Sequence, residues 1–261
     1  MKFCSLYSGS SGNSIFLSTD KTKILIDAGM AGKHLDSALK EIEQNPNEID
    51  AIFITHEHID HIKGAGIMSR KYDIPIYANE GTWIAMEKKV GKIKEDNIRV
   101  IKDKCITIKD MDIVNYNIFH DAACPVGYTI KCGNKQASVT TDLGCFTSEV
   151  KENIKDSQVL LLESNHDVEM LKFGPYSYDL KRRILSDVGH LSNEACGNAL
   201  LELLQSGRKK VVLGHLSETN NQPDLAYETV LSVLRDNGVL IGKEVEVSMA
   251  HRGKPSSYIE F

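Results

Sequence analysis

Thr55-His-Glu-His-Ile-Asp-His61 gathers three imidazoles and the Asp60 carboxylate in one short stretch, at the end of the apolar run Ala51–Thr55 (AIFIT). A run of that kind reads as a strand buried on both faces, and strand ends are where functional side chains are displayed. Imidazole and carboxylate are ligands of zinc, manganese and iron. In an extended segment His56 and His58 point to one side. If the chain then turns into a helix, Asp60 and His61 reach a second metal. The stretch is not H-E-x-x-H, because position 60 is Asp, so the zincin arrangement of two histidines on one helix is excluded.

Two metals need further ligands, and suitable residues follow other apolar strands. His120 comes after Ile113–Phe119, Asp142 after Ala137–Thr141, and His215 after Lys210–Leu213. Asp142 suits a bridge, since two carboxylate oxygens can serve two cations. The rest of the chain reads as strands with helices interspersed in both halves. Strands are expected at Lys2–Tyr7, Ser14–Ser18, Lys23–Ile26, Ile76–Ala78, Val159–Leu162 and Val245–Met249, with a run of strands from Ile98 to Thr141 turning at Gly133-Asn134. Helices are expected around Leu35–Ile42 and over Ile62–Tyr72, Ser177–Leu185 and Pro223–Leu234, with another capped by Ser192. This pattern predicts an α/β fold of two packed sheets with helices outside.

The chain has 261 residues and is 41% hydrophobic. One large domain spanning residues 1–261 is the expectation. The N-terminal MKFCSLYSGSSGNSIFL lacks an uninterrupted apolar stretch. No segment approaches the roughly 20 apolar residues that span a bilayer, so a cytoplasmic location without membrane contact is expected. The six cysteines form no C-x-x-C pair and are read as reduced thiols, mostly buried. A formal charge of −5 argues against a broad phosphate-gripping surface, but not against a phosphate-handling site.

The order Asp27 (in LIDAG), THEHIDH, His120, Asp142 and His215 resembles the five-motif signature of the metallo-β-lactamase superfamily. That resemblance implies an αββα sandwich of two mixed sheets flanked by helices. It implies two divalent metal ions, zinc or manganese or iron: one held by His56, His58 and His120, the other by Asp60, His61 and His215, with Asp142 bridging. Asp27 would steady the ligand loop from behind. The strings SGSSGNS, ESNHDVEML, LKRRILSDVGHLSN and GHLSETNNQP further resemble the YycJ/WalJ group of Gram-positive bacterial exonucleases. This resemblance covers most of the chain and implies 5′–3′ digestion of double-stranded DNA, with a part in mismatch repair. DNA is thus the expected partner, and no protein partner is legible. No long insertion matches the β-CASP cap, and no basic flexible arm like that of ribonuclease Z is present.

Outside the five motifs, Glu163 ends the strand Val159–Leu162 and His190 precedes the Ser192-capped helix. The pair resembles the Glu and His that ribonuclease Z-like enzymes set beside their metals. Glu163 is expected to accept a hydrogen bond from one ring nitrogen of His190, which then serves the leaving oxygen. Asp60 is counted as catalytic as well as a ligand. Ser10 and Asn13, in a Ser/Gly loop, and Asn165 and His166, beside Glu163, are candidate substrate contacts. The rival readings are a cyclic phosphodiesterase or a thioester hydrolase of the same fold. The pair favours phosphodiester chemistry, because a thiolate leaving group needs little protonation. A redox module like the flavodiiron proteins is disfavoured, because they replace the second His of the motif with Glu and position 58 is His.

Overall fold

Alternation along the strands sorts the apolar side chains into three layers. Ile24 and Ile26 face one way and Leu25 the other, and Leu161 and its neighbours Leu160 and Leu162 divide in the same manner. This is the period-two pattern of a sheet buried on both faces. A computed structural model describing residues 1–261 shows the result. In the first half the elements are β1 (Lys2–Tyr7), β2 (Ser14–Ser18), β3 (Lys23–Ile26), α1 (Gly32–Glu41), β4 (Ala51–Phe53), α2 (Ile59–Ile62), α3 (Ala65–Tyr72), β5 (Ile76–Asn79), α4 (Glu80–Val90) and β6 (Ile98–Ile101). The second half has β7 (Cys105–Ile108), β8 (Met111–Asn117), β9 (Val126–Cys132), β10 (Lys135–Thr140), α5 (Ser148–Ile154), β11 (Val159–Glu163), α6 (Val168–Phe173) and α7 (Tyr178–Ile184). It ends with α8 (Asn193–Leu204), β12 (Lys209–Gly214), α9 (Pro223–Asp236), β13 (Val245–Met249) and β14 (Ile259–Glu260).

The strands form two seven-stranded mixed sheets, ordered β14-β1-β2-β3-β4-β5-β6 and β13-β12-β11-β10-β9-β8-β7. Phe3, Ile24 and Phe53 of the first sheet pack against Ile113, Val139 and Leu161 of the second, forming the central layer. The outer face of the first sheet is covered by α1, α3 and α4, and that of the second by α5, α8 and α9. The architecture is therefore helices, sheet, sheet, helices. Strands β3, β4, β5 and β6 run parallel, as do β10, β11, β12 and β13. Parallel strands deliver their carboxyl ends side by side, which places the ends of β3 and β4 in one group and those of β10, β11 and β12 in another.

Three departures from the sequence reading have physical causes. The helix expected over Ile62–Tyr72 is two helices, broken at Lys63-Gly64. Gly64 N donates to Ala28 O at 2.8 Å, so the break lets the motif loop pack on the segment after β3. Helix α4 was not foreseen; its sequence carries little apolar periodicity, and its start is set by the Asn79 side chain accepting from Thr82 N. The cysteines are all free thiols, but only Cys4 and Cys196 are buried and Cys105 is exposed. Cys105 lies on β7, an edge strand, where alternate side chains meet solvent. No helix is long and apolar enough to cross a membrane.

Candidate metal centre

The candidate ligands follow strand ends, Asp60 and His61 on α2 after β4, and left-handed turns carry two of them, Asp142 and His215, as well as Asp27. Asp27, Asp142 and His215 have φ of 61°, 57° and 55°. Such values cost a non-glycine residue of order 1–3 kcal/mol, and Asp and His are among the side chains that tolerate them. The conformation bends the chain sharply off β3, β10 and β12.

The motif loop is held from behind by Asp27, which is 2% exposed. Its Oδ1 accepts from Thr55 N at 2.8 Å, and its Oδ2 accepts from Thr55 Oγ1 at 2.8 Å and His61 Nδ1 at 2.7 Å. Burial raises the Asp27 carboxyl above its ordinary pKa, an effect the His61 charge partly offsets. With its proton given to Asp27, Thr55 Oγ1 accepts from His56 Nδ1 at 3.0 Å. The loop also lies directly on the LIDAG segment: Asn13 N donates to Asp60 O at 2.7 Å, and a Cβ at Gly29 would sit 1.6 Å from that same oxygen. Only glycine fits there.

These bonds select the atoms left for the cavity. His120 Nδ1 donates to Gly189 O at 3.2 Å, and His215 Nδ1 to Glu163 Oε1 at 2.7 Å. With His56 and His61 this makes four histidines whose Nδ1–H is spent outward, leaving Nε2 facing in; His58 instead presents Nδ1, 3.3 Å from His120 Nε2. Between them lies Asp142, with Oδ2 3.1 Å from His61 Nε2 and Oδ1 3.5 Å from both His120 Nε2 and His215 Nε2. Asp60 Oδ2 is 3.5 Å from His61 Nε2 and 3.6 Å from His215 Nε2.

The residues fit a divalent metal. His56 Nε2, His215 Nε2 and Asp142 Oδ2 are buried without a hydrogen-bond partner, and buried polar atoms are seldom left so. Ligand atoms of His56, His58 and His120 lie within 4.8 Å of one another, and so do those of Asp60, His61 and His215 and those of His56, His61 and Asp142. Electrostatics agree. Burial pushes Asp142 upward, yet the His215 and His61 imidazoles outweigh it and hold the carboxyl well below its usual range. His61 is correspondingly raised against its burial by Asp142, Asp27 and Asp60, and His215 is raised to about 10. His56 and His120 are lowered, chiefly by burial.

Glu163 accepts from His190 Nδ1 at 2.8 Å through the same Oε1 that receives His215 Nδ1. Its Oε2 accepts from Leu143 N at 2.7 Å and Leu191 N at 3.1 Å. Burial alone would raise it; His190 and His215 prevail and bring it down to about 2. His190, opposed by its own burial, is raised by that carboxylate. The sequence alone predicts that Glu163 serves His190 only. Its second imidazole, on a proposed metal ligand, comes from the parallel pairing of β11 with β12.

The remaining candidates divide. Ser10 and Asn165 line a cavity of about 250 Å³ with His58, Asp60, His120, Asp142, His190 and His215. Asn165 also donates to His215 O at 2.8 Å. Asn13 is buried and its amide is spent on the loop: Nδ2 lies 3.3 Å from Asp60 Oδ2 and 3.1 Å from His61 Nε2, while Oδ1 accepts from Gly9 N at 2.9 Å. His166 is 1% exposed and does not line the cavity. Tyr176, Leu180 and Arg183 line it and were not foreseen. Ser8 was missed too, and its Oγ accepts from His215 N at 2.8 Å across 207 residues of chain. Asn193 and Asn221 exchange paired amide bonds at 3.0 and 2.9 Å, and Asn221 Nδ2 also reaches Ser164 O. The ESN, LSN and NNQ strings thus include a buried clasp behind the site.

Comparison with known proteins gives a consistent result. A family model described as "Beta-lactamase superfamily domain" matches residues 22–216. The chain is similar to exodeoxyribonuclease YycJ of Bacillus anthracis, 41% identical and covering 95% of this chain and 94% of that one. It is likewise similar to exodeoxyribonuclease WalJ of Streptococcus pneumoniae, 43% identical and covering 94% and 93%. Among solved structures, the metallo-β-lactamase fold protein YhfI of Bacillus subtilis superposes with a TM-score of 0.71 at 16% identity, over 98% of this chain and 100% of that one. That last likeness bears on the fold alone.

Two expectations follow from the geometry. Asp142→Ala should weaken all metal binding, because two divalent cations sharing the cavity would then repel without a shared carboxylate between them, by about 17 kcal/mol at ~4 Å and an effective dielectric of ~20. Asp27→Ala removes a partner of the ligand loop only and should cost ~10–100-fold in affinity. A competition titration against a chelating indicator ranks the two, and a larger loss for Asp27→Ala would reverse the assignment. Secondly, His215 is raised to about 10 and so holds a proton at neutral pH in the metal-free protein, and His61 is raised in the same direction, against its burial, by Asp142, Asp27 and Asp60. A cation must displace such protons, so binding should release them and tighten as pH rises from 6 to 8, by up to ~10-fold per pH unit for each proton released. Titration in weak buffer with a pH indicator measures this, and a pH-independent affinity would contradict it.

Proposed function

Because the chain belongs to the β-lactamase superfamily, in the branch of the YycJ and WalJ exodeoxyribonucleases, we propose that it is a metal-dependent exonuclease that hydrolyses DNA phosphodiester bonds from an end. The observation that carries the chemistry is the His190–Glu163 pair at 2.8 Å on the wall of the histidine-rich cavity. His56, His58 and His120 would hold one divalent ion and Asp60, His61 and His215 a second, with Asp142 shared. Such ions, zinc or manganese or iron, supply Lewis acidity and neutralise charge on phosphoryl oxygens.

The chain's own groups handle the protons. Asp60 is the accessible carboxylate, its side chain 20% exposed where Asp142 and Glu163 are buried. Against its own burial, His61 and His215 hold it well below its ordinary range, so it orients the attacking water by accepting its hydrogen bond while the water's proton leaves to solvent. The water oxygen bonds to phosphorus as the bond to the sugar oxygen breaks. His190 has Nδ1–H fixed on Glu163, so its Nε2 gives a proton to that leaving oxygen. Ser10 and Asn165, on the cavity wall, orient the phosphate. Asn13 and His166 act behind the wall rather than on substrate. Family resemblance adds the finer reading of 5′–3′ digestion of double-stranded DNA in the cytoplasm, with a part in mismatch repair.

The direct test is metal-reconstituted protein on end-labelled duplex DNA, with bis(p-nitrophenyl) phosphate alongside. Labelled product should appear from one end and vanish with chelator; uncut DNA beside a hydrolysed ester would overturn the nuclease reading. His190→Ala should keep its metals and lose ~10²–10⁴-fold in rate on DNA. It should lose less on the ester, whose nitrophenolate hardly needs a proton, and an equal loss on both would make His190 a phosphate binder instead. Glu163→Gln should lose metal as well as rate. Whichever way its amide turns, the NH₂ meets donors, either the Leu143 and Leu191 amides or the two imidazoles. Elemental analysis and turnover separate these outcomes, and full metal content in Glu163→Gln would uncouple it from His215.

A further inference from the structure

Between β11 and α8 the chain makes an excursion closed at its base. His166 bridges Ser192 in parallel, Asn165 N donates to Leu191 O at 2.9 Å, and Asn193 N donates to His166 O at 2.9 Å. Residues 167–190, with α6 and α7, therefore stand on a hydrogen-bonded stem and end at His190. One side of this excursion faces the metal cavity through Tyr176, Leu180 and Arg183. The same excursion carries Phe173 and Tyr178, 84% and 77% exposed, which are the two most exposed large apolar side chains in the molecule.

These rings are not packed on the protein, so their burial contributes little to the fold. They belong to one short segment, Phe173-Gly-Pro-Tyr-Ser-Tyr178, in which Tyr176 touches the cavity. At ~3.6 Å per residue neither backbone position can be more than ~11 Å from that of Tyr176. The last turn of α7 is cationic, with Lys181, Arg182 and Arg183. Arg183 is half-exposed and ion-paired with Asp121, the neighbour of His120. Solvated rings beside a cationic turn, continuous with a phosphodiester-cutting cavity, match the needs of a single strand: phosphates meet cations and unpaired bases meet rings. A double helix offers such rings only the outer face of its terminal pair, whereas an unpaired strand offers successive base faces.

We infer that the excursion holds an unpaired, single-stranded end of the DNA substrate, with Phe173 and Tyr178 stacking on bases and Arg183 contacting a phosphate at the cavity mouth. This rests on the exonuclease reading above and goes beyond it by assigning the residues that grip the strand.

The test compares wild type, Phe173→Ala, Tyr178→Ala, the double variant and Phe173→Trp on two substrates. One is an overhanging oligonucleotide and the other is bis(p-nitrophenyl) phosphate, which has no base to stack. Each alanine should raise KM for the oligonucleotide by ~10-fold, within the range of base–aromatic stacking, while kcat/KM for the ester stays at the wild-type value. Phe173→Trp should restore KM. With a phosphorothioate strand carrying 2-aminopurine in the overhang, wild type should quench its fluorescence and the double variant should not. Unchanged KM on DNA and retained quenching in the double variant would overturn the inference while leaving the nuclease reading intact. Equal losses on both substrates would also overturn it, since they indicate a disturbed centre. Failure of wild type to cut DNA would instead remove the nuclease reading, and this inference with it.

Discussion

Glu163 is fully buried, and the centre is organised by what its two oxygens must find. A carboxylate withdrawn from water is costly unless its lone pairs are met. Here each oxygen meets two donors: Oε2 the amides of Leu143 and Leu191, Oε1 the imidazoles of His190 and His215. Leu143 follows Asp142, and Leu191 follows His190. One side chain at the end of β11 therefore positions three proposed parts together: the shared carboxylate Asp142, the proton donor His190 and the metal ligand His215. Asp27 plays the matching part in the other sheet, joining Thr55 to His61 and, through Thr55, to His56. The two carboxylates stand behind the imidazoles, and the seam between the sheets is where their requirements coincide.

This arrangement explains why left-handed turns persist at Asp27, Asp142 and His215. Each turn costs energy locally, and each is over-determined by bonds that a relaxed backbone would break, such as Asp27 N to Phe53 O and His215 N to Ser8 Oγ. The donors are aimed before any ligand arrives. Groups held in advance need little reorganisation during reaction, which is the main electrostatic advantage available to an enclosed site.

The convergence of the candidate ligands on one cavity was legible because each is a local feature: a His-rich stretch after an apolar run, or a single Asp or His at a strand end. The five motifs and the two-sheet fold follow from those signals and from the family resemblance. What was not legible is long-range or aperiodic. Nothing in the SGSSGNS loop says that Ser8 will hold His215, because that contact depends on how the two sheets meet. The same loop's Asn13 looked like a phosphate contact, but folding turns its amide onto Asp60 and His61. Helix α4 escaped because its residues carry little apolar stripe, and the break at Gly64 because it answers to the Ala28 carbonyl rather than to helix propensity. The second duty of Glu163 required knowing that β11 and β12 are neighbours in parallel.

The proposed role of these carboxylates is to pre-build a seat for two metals that share Asp142. Anomalous diffraction from crystals of manganese- or zinc-reconstituted protein locates such metals. Two peaks are expected in the cavity, one among His56, His58 and His120, the other among Asp60, His61 and His215, both in contact with Asp142. A single peak at full metal loading, or a pair that leaves Asp142 uncoordinated, would contradict that role.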